Sequence, residues 1–206
     1  MLCELFSCSS PCCFEKDRLA ENIFRQMLYS DQMRFLVIGE KFDFTFPKSI
    51  KAKPTAKTLN RKDGRPLQLN LFDFVPEDEF NETEKAVAWY LEGQKRFFFW
   101  YRNRARHDYA IQGWRKHKIY PDFIFTATAS EDKDDYEQVY VVETKGLHLM
   151  GGADTDYKRK MFSICTKEAE SRTWAELGPA MKDKVIRFEV LAEDEWEAKL
   201  NQMLQA

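Results

Sequence analysis

Two strand-like runs separated by a polar break constrain the fold of this chain more than any other stretch. The runs are residues 122–126 and 139–145, and both are rich in β-branched and aromatic residues, which favour strands. The intervening residues 130–137 are polar and acidic, as is typical of a β-hairpin loop. We therefore expect the runs to pair antiparallel, with Asp122 beside Glu143.

Three charged residues would meet at the shared end of this hairpin: Asp122, Glu143 and Lys145. Because side chains alternate along a strand, Glu143 and Lys145 point to one face and Thr144 to the other. A surface ion cluster explains these charges, but their apolar neighbours favour partners or a metal. Two carboxylates with waters suit Mg²⁺, and a lysine can activate a water or offset phosphate charge. The residues alone leave both explanations open.

Length and composition limit the classes of protein to consider. The chain has 206 residues, 44% hydrophobic and 15% aromatic, enough for one packed domain with an appendage. The net charge of −2 means that any nucleic-acid surface must be a local patch. The apolar runs are too short to cross a bilayer, and no GxxxxGK[ST] phosphate loop is present. We expect a soluble, cytoplasmic protein with no membrane contact and no motor of its own.

The first part of the chain predicts a small α+β appendage over residues 1–50. Helical spacing of apolar residues predicts a helix over 15–32, and alternating residues predict strands over 33–38 and 41–46. Residues 51–75 begin as a basic, Pro- and Gly-punctuated linker and end in an apolar docking segment. The main domain is then expected over residues 76–206.

That main domain is predicted to run helix, four strands, helix, strand, helix. Its first helix starts at Asn81, a good N-cap residue, and Glu84 completes a capping-box pattern. Glu84 also shares a helical face with Val87 and Leu91, the side expected to be buried. The sequence leaves open whether Glu84 only caps the helix or also reaches a metal site.

A basic and aromatic segment, residues 95–118, gives the strongest nucleic-acid signal. Asp108 is its only acidic residue. Basic side chains neutralise phosphates, and aromatic or guanidinium planes stack on bases, although charge runs are commonly just solvated. The segment leads directly into Asp122, which favours contact with a phosphodiester. The residues predicted to contact nucleic acid are Arg102, Arg104, Arg106, Trp114, Arg115, Lys116 and Lys118, with Lys158 on the following helix.

These motifs together resemble a known family. Pro121-Asp122 followed by Glu143-Thr144-Lys145, after a helix bearing Glu84, is similar to the pattern of the PD-(D/E)XK nuclease superfamily. More narrowly, the segments LFDFVPEDEFNETEKAVAWYLEG, WYRNRARHDYAIQGW, YPDFIF and VVETKG resemble the C-terminal nuclease region of the helicase-nuclease subunit of type III restriction enzymes and related antiviral defence proteins. The resemblance covers about residues 67–164.

The resemblance implies an α/β, restriction-endonuclease-like core, with a mixed central sheet flanked by helices. It implies that Asp122 and Glu143 bind Mg²⁺, or Mn²⁺ in its place, with help from the Thr144 carbonyl and Glu84. Lys145 would position or activate the attacking water, and Gln112 would contact the scissile phosphate or the metal's waters. The implied activity is Mg²⁺-dependent cleavage of DNA; the alternative is a non-cleaving nucleic-acid-binding or assembly module.

The resemblance also implies partners. DNA is the expected substrate, a separate helicase/ATPase or methyltransferase subunit would supply functions absent from this chain, and a homodimer would allow double-strand cleavage. Because no ATPase motif is present, ATP-driven translocation is not expected of this chain.

Overall fold

The computed structural model describes residues 11–30, 37–38, 47–50, 52–53, 56–128, 135–171 and 183–205. The predicted order of elements after Asn81 is confirmed. In chain order the elements are α1 (Pro11–Tyr29), β1 (Val37–Ile38), α2 (Glu82–Glu92), β2 (Phe97–Arg102), β3 (Ala110–Ile111), β4 (Phe123–Ala127), β5 (Gln138–Lys145), α3 (Ala153–Ser171), β6 (Val185–Ala192) and α4 (Trp196–Gln205), with 3₁₀ turns at Glu77–Glu79 and Leu147–Leu149.

The described strands form a four-stranded mixed sheet in the order β2-β4-β5-β6. The predicted hairpin is confirmed, because β4 and β5 pair antiparallel from Phe123 opposite Val142 to Ala127 opposite Gln138. β6 pairs parallel to β5 over its whole length, with α3 as the crossover that parallel strands require. The chain is therefore a mixed α/β protein with a central sheet flanked by helices. β3 lies outside this sheet and pairs with β1.

Hydrophobic side chains cover both faces of the sheet. Alternate residues of β5 enter different clusters: Val139 and Val141 pack with residues of α1 and α3, whereas Tyr140 and Val142 pack with residues of α2 and α4. This is the near-continuous apolar pattern expected of a strand buried on both sides. Each of these side chains contributes roughly 1.5–3 kcal/mol by leaving water. The two faces are called the α3 face and the α2 face below.

The predicted separation of an N-terminal appendage is not what the packing shows. Phe24 and Leu28 of α1 are buried in the same cluster as Ile111 and Val141, so α1 belongs to the α3-face core. The strand predicted over 41–46, and residues 33–36 of the one before it, lie outside the described residues. α1 is also held by Asp17, which accepts hydrogen bonds from the Trp114 indole (3.0 Å) and the Arg115 guanidinium (2.7 Å).

The segment predicted as a linker is fixed to the core by one buried carboxylate. Glu92, at the end of α2, is 4% exposed. It accepts hydrogen bonds from the Arg61 guanidinium (2.7 Å), from the backbone amides of Gln68 and Leu69, and from the Trp100 indole (3.1 Å). Because these donors come from residues 61–69 and from β2, Glu92 holds that segment against α2 and β2.

We expect Glu92→Ala to lower the free energy of unfolding by about 3 kcal/mol, since it strips the partner from a half-buried guanidinium and several buried N–H groups. Denaturation in urea measures this change. Glu82→Ala removes a carboxylate from the same helix whose side chain is 89% exposed, and should change stability by less than about 0.5 kcal/mol. Equal effects of the two substitutions would show that the Glu92 contacts do not anchor the segment.

The docking of α1 should depend on pH through Asp17. Hydrogen bonding from Arg115 lowers the pKa of Asp17 below 3.8; partial burial opposes this shift, and Trp114 adds to it. The stabilisation is therefore complete above the unfolded-state pKa and is lost as pH falls through the folded-state pKa. Because the carboxylate is 37% exposed, solvent screening limits the effect to at most about 1 kcal/mol.

Denaturation of the parent protein and of Asp17→Asn, compared at several pH values, measures that contribution. The parent should be more stable near pH 6, and the difference should shrink as the pH is lowered below about 4. A difference that stays constant across this range would mean that the Asp17 charge does not hold α1.

Candidate active site

The end of the β4–β5 hairpin brings Asp122 against Thr144. The Asp122 amide donates to the Val142 carbonyl at 2.9 Å, which continues the strand pairing by one residue. Its carboxylate Oδ2 accepts hydrogen bonds from the Thr144 amide (2.7 Å) and hydroxyl (2.8 Å). The Thr144 amide and hydroxyl thus fix the orientation of Asp122. Contact of the Thr144 carbonyl with a metal stays a prediction.

Glu143 is the buried centre of the site. It is 3% exposed, and its Oε1 lies 2.7 Å from Lys145 Nζ and 2.6 Å from Lys158 Nζ. The predicted placement of Glu143 and Lys145 on one face is therefore confirmed. Its second oxygen, Oε2, is buried and has no hydrogen-bond partner among the described residues. Such an orphaned carboxylate oxygen is uncommon in folded proteins and calls for an explanation.

The register of the β4–β5 hairpin places Asp122 next to Glu143, since Phe123 lies opposite Val142. Burial raises the pKa of Glu143, the negative charge of Asp122 raises it further, and Lys158 and Lys145 oppose the rise. Burial disfavours the charge of Lys158, but the Glu143 carboxylate outweighs that effect and raises the Lys158 pKa. The site is thus a pair of adjacent carboxylates whose charge is offset by two ammonium groups.

These residues fit a Mg²⁺ ion that shares its ligands with water and substrate. The Asp122 carboxylate and the Oε2 of Glu143, which has no hydrogen-bond partner among the described residues, offer hard oxygen ligands, and Mg²⁺ is commonly bound through one or two carboxylates, waters and phosphate oxygens. Within the described ranges, no group of three or more His, Cys, Asp or Glu side chains is placed to hold a metal. The described residues therefore do not provide a complete set of metal ligands from such side chains alone.

Glu84 acts as a helix cap in the structure. Its carboxylate Oε2 accepts from the Asn81 amide at 2.9 Å, and its own amide donates to Asn81 Oδ1, so the predicted capping box is confirmed. The other oxygen, Oε1, accepts from Arg102 at 2.8 Å. α2 packs on the opposite face of the sheet from Lys158 and α3. No contact within the described part of the chain joins Glu84 to Asp122 or Glu143.

Gln112 is likewise engaged outside the carboxylate site. Its side-chain amide donates to the carbonyls of Gly113 (3.0 Å) and Arg115 (2.8 Å), which stabilises the turn after β3. These contacts give Gln112 a local structural role. Contact with a phosphate or with a metal's waters stays a prediction.

Much of the predicted basic surface is used inside the protein. Trp100, Tyr101 and Tyr109 are buried and unavailable for stacking on bases, and Trp114 packs edge-on against Tyr157. Three predicted arginines are held in ion pairs, which are Arg102 with Glu84 (2.8 Å), Arg104 with Asp108 (2.9 Å) and Arg115 with Asp17 (2.7 Å).

The remaining predicted contacts divide into two groups. Arg106, Lys116 and Lys118 are exposed and stay available to a polyanion. Lys158 was predicted as a nucleic-acid contact, and the structure places it at Glu143 instead. The sequence carries a basic residue near the start of α3, but only the docking of that helix on the sheet shows which residue its ammonium group meets.

Comparison of the chain with family models, with curated proteins and with solved structures gives no match. Among the described helices, none is both long and apolar enough to cross a bilayer.

We expect Mg²⁺ to stabilise the folded protein through Asp122 and Glu143. At ten times its dissociation constant a ligand adds about 1.4 kcal/mol, which corresponds to a rise of about 3–6 °C in Tm for a chain of this size. Thermal melts with and without Mg²⁺ measure the rise. Asp122→Asn and Glu143→Gln should abolish it.

Glu84→Gln tests whether Glu84 is a Mg²⁺ ligand in addition to Asp122 and Glu143. This variant should melt at a lower temperature because its cap and its pair with Arg102 are weakened, yet keep the Mg²⁺-dependent rise. An unchanged rise in Glu143→Gln would show that the ion binds elsewhere.

Proposed function

We propose that this chain is a Mg²⁺-dependent DNA endonuclease of the PD-(D/E)XK type. The observation that carries the proposal is the buried Glu143, which lies next to Asp122 in the hairpin register. One of its oxygens has no hydrogen-bond partner among the described residues, and the other contacts Lys145 and Lys158. Adjacent carboxylates with ammonium groups at the end of paired strands suit chemistry at a phosphodiester, where negative charge must be offset. The resemblance of the surrounding segments to type III restriction nucleases supports the same conclusion.

Each residue has a role in this proposal. Thr144 holds Asp122 through two hydrogen bonds, so the carboxylate is oriented before substrate arrives. Lys145 orients the attacking water or donates to a phosphate oxygen, and Lys158 opposes the effect of burial on the Glu143 charge. Bound Mg²⁺ would supply positive charge to the phosphate and lower the pKa of a coordinated water. The water would lose a proton to solvent as its oxygen adds to phosphorus. The bond to O3′ would break and O3′ would take a proton from solvent, leaving 5′-phosphate and 3′-hydroxyl ends.

The finer parts of the assignment belong to the same proposal. The described order, α2-β2-β4-β5-α3-β6 around a mixed sheet, is compatible with a restriction-endonuclease-like core. A role in a type III restriction-like or other defence system, a cytoplasmic location, a separate helicase/ATPase or methyltransferase partner and a homodimer for double-strand cleavage follow from the resemblance.

A non-cleaving DNA-binding module on the same fold is the second candidate. It is favoured by the two ammonium groups that already offset the Glu143 charge, and by the absence of a three-residue metal group within the described ranges. This candidate predicts salt-sensitive DNA binding that survives Asp122→Asn and Glu143→Gln and is unaffected by Mg²⁺.

A nuclease assay on supercoiled plasmid and on single-stranded DNA decides between the two candidates. The parent chain should cleave with Mg²⁺ or Mn²⁺ and be inactive in EDTA. Glu143→Ala and Lys145→Ala should each lower the rate by about 10²-fold or more, whereas the exposed Glu82→Ala should cleave like the parent.

A wrong active site and a protein that does not cleave DNA give different results. Cleavage by Glu143→Ala at the parent's rate would show that the proposed active site is wrong. Binding of DNA by the parent without cleavage under any metal condition would support the second candidate.

A further inference from the structure

A second charged feature lies at the edge of the sheet, away from the carboxylate site. β6 is the edge strand, and a groove of about 770 Å³ runs along it between α3 and α4. The described residues that line the groove include four cationic side chains and one carboxylate, Glu189. The cations are Arg159 and Lys167 from α3, Arg187 from β6 and Lys199 from α4.

The described lining of the groove is mostly basic in a chain that is slightly negative overall. Among the described residues that line it, four are cationic and one is a carboxylate, whereas the whole chain has a net charge of −2. Lys199 pairs with Glu189 at 3.1 Å. Within the described residues, Arg159 and Arg187 form no ion pair, and Arg159 contacts the Met150 sulfur at 4.0 Å. Uncompensated guanidinium groups in a concave surface attract a polyanion.

The edge of β6 is poorly suited to the other common use of such an edge, the addition of a peptide strand. The Phe188 amide and carbonyl are both hydrogen-bonded to the Thr166 hydroxyl (3.2 and 3.3 Å). The Val190 amide is bonded to Glu189 and its carbonyl to Lys199 (both 3.2 Å). Strand addition needs free backbone groups, and here it would break these four bonds. Side chains are therefore what the groove offers a partner.

We propose that this groove binds the sugar–phosphate backbone of DNA as a second contact beyond the carboxylate site. Guanidinium groups bind phosphate oxygens with paired, planar hydrogen bonds, and Arg159 and Arg187 approach the groove from α3 and β6. Lys158 and Arg159 are consecutive on α3, so one helix links the carboxylate site to the groove. The choice of DNA as the polyanion rests on the proposed function.

The test measures binding of the full chain to a fluorescein-labelled 20-base-pair duplex by anisotropy, in EDTA, over a range of salt concentrations. The double variant Arg159→Ala/Arg187→Ala should bind on the order of tenfold more weakly, and its log–log salt dependence should fall by about 1.8, since two phosphate contacts are lost. The matched control, Lys62→Ala/Arg65→Ala, removes the same charge from an exposed turn before α2 and should bind like the parent. Thermal melts confirm that all variants are folded.

Three results would contradict the proposal that the groove binds DNA. The first is unchanged affinity and salt dependence in the double variant, and the second is an equal loss of affinity in the control variant. The third is self-association through the groove in sedimentation experiments while DNA binding is unaffected. Because the assay needs no cleavage, its outcome is separable from that of the proposed function. If the double variant binds DNA normally and the parent cleaves DNA in a Glu143-dependent way, only the proposal about the groove is rejected. If the double variant loses DNA binding and the parent does not cleave DNA, only the proposed nuclease activity is rejected.

Discussion

The burial of Glu143 is the constraint on which the site depends. Removing an ionised carboxylate from water costs several kcal/mol unless cations contact it directly, and the two cations here come from different elements. Lys145 is supplied by the same strand, two residues on, whereas Lys158 arrives only when α3 docks on the sheet. Folding of the crossover helix and neutralisation of the carboxylate are therefore one event, and the site exists only in the assembled α/β unit.

The local parts of this arrangement could be predicted from the sequence. The hairpin, the order of elements, the common face of Glu143 and Lys145 and the Glu84 cap all follow from periodicity and spacing within a few residues. The parts that could not be predicted are contacts between distant residues. Arg115 pairs with Asp17, 98 positions away, and β3 pairs with β1 rather than with the central sheet. No local pattern encodes these choices.

The basic segment shows why composition alone overstates a binding surface. A run of arginines and aromatics predicts contact with nucleic acid, yet burying an aromatic core places neighbouring guanidinium groups near carboxylates from other elements. Arg102 forms such an ion pair with α2, and Arg115 forms one with α1. The exposed positive charge lies instead on Arg106, Lys116 and Lys118 and in the groove along β6. The groove residues come from three separate elements, so they form no cluster in the sequence.

The buried carboxylates on the two faces of the sheet differ in how many of their oxygens accept hydrogen bonds. On the α2 face, both oxygens of Glu84 and of Glu92 accept hydrogen bonds from protein donors. On the α3 face, one oxygen of Glu143 has no donor in the part of the chain that the structure describes. A saturated carboxylate can only stabilise, while an unsaturated one retains capacity for a ligand. One face can then accumulate stabilising substitutions without altering chemistry at the other, so that robustness and activity can evolve on opposite sides of a single sheet.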